Sequence, residues 1–230
     1  MSETVMTHII ARIRTDFPTK FGIPRQSGLA DVPARIVFEP EYRNADALRG
    51  IEEYSHLWLI WQFSEAVRES WSPTVRPPKL GGNRRVGVFA TRSPFRPNAI
   101  GLSSVRLHRV EYGTPEGAVL HISGADLMDG TPILDIKPYL PHVDSHAEAL
   151  GSFTEKTKEY FIPVEIPDEL LEKIPADRRE ALKKVLEQDP RPSYQNSEER
   201  VYGLSFAGME IKFQVKDQVL HVVGAERAGT

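Results

Sequence analysis

Leu57-Trp58-Leu59-Ile60-Trp61-Gln62-Phe63 is apolar at every position but Gln62. Seven such residues fit a strand buried on both faces better than a helix. Further short alternating or apolar runs lie on either side: Met6–Ile13, Arg35–Glu39, Arg85–Ala90, Leu102–Val110, Ala118–Ser123 and Ile133–Ile136. Turn signals separate them, among them Phe95-Arg96-Pro97-Asn98, Gly113-Thr114-Pro115 and Asp129-Gly130-Thr131-Pro132. Asp46 to Glu53 is expected as a short helix with Asn44 as its N-cap. This part of the chain reads as short strands with little helix, a small β-barrel or sandwich.

The pattern changes near residue 145. Asp144 to Lys158 is polar and acidic and reads as a linker. Asp168 to Glu187 then has helical spacing in Leu170, Leu171, Ile174, Leu182, Val185 and Leu186, with Pro175 splitting it in two. Val201–Phe206, Met209–Val215 and Val219–Val223 return to strand character, with turns at Ala207-Gly208 and Lys216-Asp217. The expected architecture is mainly β: a barrel domain over residues 1–145 and a smaller C-terminal α+β domain over 146–230.

Composition narrows the chemistry. The chain has 230 residues and no cysteine, which removes disulfides, iron–sulfur clusters, thiolate zinc sites and cysteine nucleophiles. No apolar run approaches the roughly 18–20 residues of a membrane-spanning helix, and the first ten residues lack a signal peptide's pattern. A reducing, cytoplasmic setting is the simplest fit. No G-x-G-x-x-G, Walker or G-x-S-x-G signature is present, so Rossmann, P-loop and α/β-hydrolase readings fail. His142 and His146 are four apart near Asp144, but in a proline-flanked polar stretch they make a poor metal pair, and no metal is expected.

Charge is unevenly placed. The net charge is −3, yet residues 70–110 hold Arg76, Lys79, Arg84, Arg85, Arg92, Arg96, Arg106 and Arg109 and no acid. Such a stretch either pairs with acids elsewhere or meets an external anion, for which a nucleic acid is the usual candidate. Pro73-Thr74-Val75-Arg76-Pro77-Pro78 cannot be a regular strand, because its prolines remove donors and fix φ. It reads as a stiff basic loop. Downstream, Asp126, Asp129, Asp135, Lys137 and Tyr139 gather acceptors and one cation; a plain β-turn at 129–132 and a strand end that braces the barrel remain open alternatives.

Taken together, several motifs resemble the TrmO-type tRNA methyltransferases. They are Pro24-Arg25-Gln26, Pro73-Thr74-Val75-Arg76-Pro77-Pro78, Leu80-Gly81-Gly82-Asn83, Gly87-Val88-Phe89-Ala90 and Arg96-Pro97-Asn98. Asp129-Gly130-Thr131-Pro132, Asp135-Ile136-Lys137-Pro138-Tyr139 and Gln188-Asp189-Pro190-Arg191-Pro192 follow in the expected order. The resemblance implies a β-barrel methyltransferase, working as a homodimer with S-adenosylmethionine near the subunit interface. It implies N6-methylation of N6-threonylcarbamoyladenosine at position 37 of tRNA, beside the anticodon. The implied cofactor site is Pro24, Arg25, Gln26, Glu65, Ala66, Arg92, Leu102, Asp129, Gly130, Thr131 and Pro132.

Under that reading Asp135 or Tyr139 accepts the N6 proton, Lys137 depresses Tyr139 or binds the threonyl carboxylate, and Asn98 binds the carbamoyl group or caps a turn. Arg76, Lys79, Arg84, Arg85 and Arg96 are the expected RNA contacts. Two rivals stand beside it: a non-catalytic adaptor for tRNA or the cofactor, and a small-molecule methyltransferase. The adaptor would not need the 24–26 and 129–132 turns, and the small-molecule enzyme would not need the basic stretch.

Overall fold

The computed structural model describes residues 3–77, 84–151, 161–191 and 197–229. Alternation of inward apolar residues builds the N-terminal part. In chain order it comprises β1 (Ala11–Arg14), β2 (Pro33–Phe38), β3 (His56–Gln62), β4 (Thr74–Val75), β5 (Val86–Gly87), β6 (Ile100–Thr114), β7 (Gly117–Ser123) and β8 (Pro132–Pro138). Six of these close a barrel in the order β1-β2-β7-β6-β3-β8, and all its pairings are antiparallel. Closure leaves no sheet edge, which short strands such as β1 could not protect alone. The barrel is filled by Ile13, Ile36, Leu57, Leu59, Leu120, Ile122, Leu127 and Ile133.

β3 departs from the expected strand buried on both faces. Leu57, Leu59 and Trp61 are buried inside the barrel, whereas Trp58, Ile60 and Gln62 are only half-buried on its outer side. The outward face is apolar without being core. Asp46–Glu53 is also no α-helix: two 3₁₀ turns, Ala45–Leu48 and Ile51–Glu53, are separated by Gly50 at φ 85°. Asn44 does cap the first, accepting from the Asp46 amide at 3.0 Å. Met6–Ile13 becomes strand only from Ala11, and Arg85–Ala90 is strand only at Val86–Gly87 before a 3₁₀ turn over Val88–Ala90. Asp144 is no linker residue either. It ends α1 (Pro141–Asp144), and its carboxylate accepts from Trp58 Nε1 at 2.8 Å and from the Leu140 amide at 2.9 Å. These bonds, the Leu140 amide first, hold its carboxyl below the usual carboxylate range.

The C-terminal part follows as β9 (Val164–Glu165), α2 (Asp168–Leu171), α3 (Arg179–Glu187), β10 (Tyr202–Phe206), β11 (Met209–Lys216) and β12 (Val219–Arg227). Its sheet order is β10-β11-β12-β9, with β9 parallel to β12. Both hairpins turn through two positive-φ residues, Ala207-Gly208 and Asp217-Gln218, the geometry that matches strand twist. α3 buries Ala181, Leu182, Val185 and Leu186 against this sheet. Among the described residues, no helix is long and apolar enough to cross a membrane.

This second core is not built from C-terminal residues alone. Phe17, Ala30 and Val32, from the connection between β1 and β2, are fully part of it, and Phe21 and Ile23 pack on its margin. The rings of Phe17 and Phe206 lie 5.4 Å apart, and those of Phe21 and Phe213 stack at 6.4 Å. Asp16 adds a polar clasp, with its carboxylate 2.5 Å from Arg178 Nε and its carbonyl accepting from the Ala207 amide. Phe17→Ala should therefore cost about 3–5 kcal/mol of stability, measured by urea denaturation. A loss under about 1 kcal/mol would show that this aromatic does not pin the connection.

Candidate active site

The clasped connection forms one wall of a cavity of about 630 Å³, within the usual range for ligand sites. Lys20, Ile23, Pro24, Arg25 and Gln26 line that side. Opposite stand the end of β3 and its following turn, Trp61 to Ala66, and the proline-braced loop Thr91–Arg96. The start of β6, Ile100 to Leu102, joins them, and Asp126, Leu127, Met128 and Thr131 complete the lining. Gly101 allows close approach here, since a Cβ at that position would overlap the Trp61 ring.

Each wall is locally fixed. Arg25 Nη2 donates to the Asp189 carbonyl at 3.1 Å, and Asp189 is itself held by Arg191 through two bonds of 2.7 and 2.8 Å. Arg92 Nη1 donates to Gln26 Oε1, and Lys20 Nζ lies 3.1 Å from Glu65 Oε2, so two polar bridges join opposite walls. Arg96 Nη1 donates to the carbonyls of Thr91 and Ser93, which rigidifies the loop. Phe63 is tied to the residue just before β6, its amide donating to the Ala99 carbonyl at 2.8 Å.

Seven of the sequence-expected cofactor residues line this one cavity besides Thr131: Pro24, Arg25, Gln26, Glu65, Ala66, Arg92 and Leu102. Asp129, Gly130 and Pro132 do not. Asp129 accepts from the Thr15 amide, Gly130 bonds the Ile13 carbonyl and Pro132 pairs with Arg12. With Gly130 at φ 75°, the turn fixes Thr131 and Met128 by a 2.7 Å bond from Thr131 Oγ1 to the Met128 carbonyl. Asp135, Lys137, Tyr139 and Asn98 line no part of the cavity. Asp135 and Lys137 form a 3.0 Å ion pair, while Tyr139 packs 5.4 Å from Trp58. Ile60 is the cross-strand partner of both Asp135 and Leu102. Two strand spacings, about 10 Å, thus separate Asp135 from the cavity rim across the barrel's outer face. Asn98 is exposed, and its carbonyl accepts from the Ile100 amide.

The basic residues divide into two groups. Arg92 and Arg96 line the cavity, whereas Arg76, Arg84 and Arg85 are exposed beside the β4–β5 ribbon. Lys79 lies outside the described residues. Among the described residues, Arg109 with Glu111 is the only ion pair that the acid-free stretch makes.

Asp126 is the polar group that the sequence reading left out of the site. Trp61 Nε1 donates to Ser103 Oγ at 2.9 Å, and Ser103 Oγ donates to Asp126 Oδ1 at 2.5 Å. Burial pushes the Asp126 carboxyl up, only partly opposed by Ser103, neighbouring backbone groups and the Arg92 charge. An acid set among Gly124, Ala125 and Leu127 was the available signal. The arrangement offers aromatic walls, guanidinium groups on two opposite sides and one semi-buried carboxyl, an enclosure suited to a ligand with an aromatic part and charged groups.

A carboxyl whose folded pKa is raised stabilises the fold most below its unfolded pKa, and that contribution is lost as pH rises through the folded value. Asp126→Asn should therefore gain stability relative to the parent chain as pH rises from about 4 to 7, in urea denaturation at each pH. Parallel pH profiles would contradict the buried-carboxyl assignment.

Comparison with known proteins agrees with this architecture. Residues 12–145 match the tRNA-methyltransferase O N-terminal domain and residues 159–228 match the TrmO C-terminal domain. The tRNA (adenine(37)-N6)-methyltransferase of Escherichia coli (strain K12) is 39% identical over 226 residues, covering 94% of this chain and 96% of the relative. A putative S-adenosylmethionine-dependent methyltransferase, RcsF, of Pseudomonas aeruginosa is 39% identical over 238 residues, covering 96% and 100%. The crystal structure of TrmO from the same species superposes with a TM-score of 0.78 at 32% identity, covering 99% of each chain. Both halves of the match run in order along one chain, so this protein belongs to the tRNA-methyltransferase O family.

Proposed function

We propose that the chain methylates N6 of N6-threonylcarbamoyladenosine at position 37 of tRNA, with S-adenosylmethionine as methyl donor. Family membership supports the coarser statement, an S-adenosylmethionine-dependent tRNA methyltransferase. The observation that supports an RNA-directed reading is one cavity whose wall residues Arg92 and Arg96 belong to the same acid-free stretch as the exposed Arg76, Arg84 and Arg85. A ligand pocket and a polyanion-binding surface are thus continuous in sequence.

The residues present fit such a donor. Trp61, Phe63 and Phe95 supply apolar surface for an adenine and a hydrocarbon chain, and Asp126 supplies a carboxyl toward a cation. Pro24, Arg25, Gln26, Glu65, Ala66, Arg92, Leu102 and Thr131 would hold it, with Asp129, Gly130 and Pro132 acting through Thr131. When bound, S-adenosylmethionine supplies an electrophilic methyl carbon on a sulfonium. The accepting nitrogen is flanked by a purine and a carbonyl, so its lone pair is delocalised. The chain's task is then to orient that nitrogen and receive its proton, effects worth roughly 7–11 kcal/mol and 10²–10⁴-fold.

Asp135 or Tyr139 remains our proposed proton acceptor. We assign Lys137, which pairs with Asp135, to the threonyl carboxylate and Asn98 to the carbamoyl group. Leu102 and Ile100, 54% and 44% exposed on the same outer face, support the proposed homodimer. The same reading divides the chain into domains at residues 145/146 and sets it to work in the cytoplasm, beside its tRNA substrate.

The decisive experiment is mass spectrometry of tRNA nucleosides from a deletion strain and its complemented counterpart. The doubly modified adenosine should vanish in the first and return in the second; its persistence in the deletion strain would overturn the reading. In binding assays, Arg85→Ala should lower the salt-dependence slope for tRNA by about one; an unchanged slope removes Arg85 from phosphate contact. S-adenosylmethionine at a hundred times its dissociation constant should add about 2.7 kcal/mol of stability. Tight tRNA binding without that shift would favour the adaptor.

A further inference from the structure

Large aromatic side chains left in water need an explanation, because each carries roughly 150–250 Å² of burial capacity. Trp71 and Phe89 are 51% and 72% exposed, yet they lie together, with ring centroids 6.0 Å apart and planes inclined by 35°. They flank the β4–β5 ribbon, in which Thr74 pairs with Gly87 and Val75 with Val86. The ribbon is not loosely hung. Val88 is buried, and its amide donates to the Pro73 carbonyl at 2.9 Å, so the two aromatics are presented from a fixed base.

The surroundings are cationic. Arg76, Arg84 and Arg85 are exposed on the same ribbon, and Arg85 Nη1 reaches Thr74 Oγ1 at 3.3 Å. Phe89 is two residues from Thr91 and three from Arg92, both of which line the cavity. Three residues span at most about 10 Å. The pair therefore lies within a short reach of the site, on the path from the cavity to the basic ribbon. Paired aromatics beside arginines are how proteins hold unpaired nucleotides: the rings take the bases and the guanidinium groups take the phosphates.

We propose that Trp71 and Phe89 form a stacking platform for an unpaired base of the bound RNA, a nucleotide next to the one whose base enters the cavity. This rests on the tRNA reading above and extends it to a contact that neither the charge pattern nor the cavity assigns. RNA is favoured over a second copy of the chain as the occupant. A two-fold contact centred on this pair would oppose Arg76, Arg84 and Arg85 to their own copies, whereas a polyanion neutralises them.

The test is binding of an anticodon stem–loop RNA across a salt series, followed by fluorescence anisotropy, with the full chain and with Trp71→Ala, Phe89→Ala, Trp71→Phe and Arg85→Ala. Each alanine variant at the pair should lose about 5- to 150-fold in affinity, the equivalent of ~1–3 kcal/mol per stacked base. Their salt slopes should match the parent's, whereas Arg85→Ala lowers the slope by about one. Trp71→Phe should keep most of the affinity, and the S-adenosylmethionine thermal shift should persist in the alanine variants, showing an intact fold. Undiminished RNA binding by both alanine variants, beside a parent that binds, sinks the platform and leaves the tRNA reading standing. A fall in salt slope, or a change in sedimentation that marks loss of a dimer, also overturns it, assigning the pair to phosphate positioning or to contact between copies. A parent chain that takes up S-adenosylmethionine but binds no RNA removes the tRNA reading and the platform with it.

Discussion

The cavity exists because one loop of the barrel is anchored outside it. Phe17, Ala30 and Val32 are buried in the C-terminal core, at 0%, 3% and 2% exposure, although the strands they join, β1 and β2, belong to the barrel. Between these anchors the chain presents Lys20 to Gln26 to the cavity. Gly22, at φ 86° and lying against Leu204, lets the backbone turn there without a side chain in the way. Burying a single large apolar side chain contributes about 1.5–3 kcal/mol, so two aromatics and their neighbours hold the wall far more firmly than its own short-range bonds. The Arg25–Asp189–Arg191 arrangement then transmits the position of the C-terminal segment to a residue of the cavity lining.

Charge works by a different logic. Several ion pairs elsewhere in the molecule are exposed and local, such as Arg49 with Asp46 or Lys184 with Glu187. Exposed pairs of this kind contribute little to stability. What distinguishes residues 70–110 is lack of acidic neighbours along the chain, and the fold brings almost none to it. Among the described residues few internal acids offset the charge of this surface, and it adjoins the pocket through Arg92 and Arg96.

Much of this was legible in the residues. Alternation along most of β6, the turn chemistry at Ala207-Gly208 and the break at Pro175 follow from local rules that hold in the structure. Pro24–Gln26, Glu65–Ala66 and Arg92 come from three distant segments, and a family resemblance gathered them before any contact could be seen. Four features escaped, each because it depends on a partner far along the chain. Half-burial of Trp58, Ile60 and Gln62 reflects what the outer barrel face meets, which alternation within one strand does not encode. Asp144 looks like linker until Trp58 is placed opposite it. Asp126 looks like one of several acids until Ser103 and Trp61 are aligned beside it. Phe17 joins a core formed more than 150 residues later, a contact that no periodicity reports.

The central claim is that this cavity, walled by the anchored 20–26 segment, is where the methyl donor resides. Hydrogen–deuterium exchange of the full chain with and without saturating S-adenosylmethionine measures it directly. Exchange should slow at residues 20–26, 63–66, 91–96 and 126–131, with a smaller effect at 188–191 carried by Arg25. Unchanged exchange in those four segments, with slowing elsewhere in the barrel, would contradict the account.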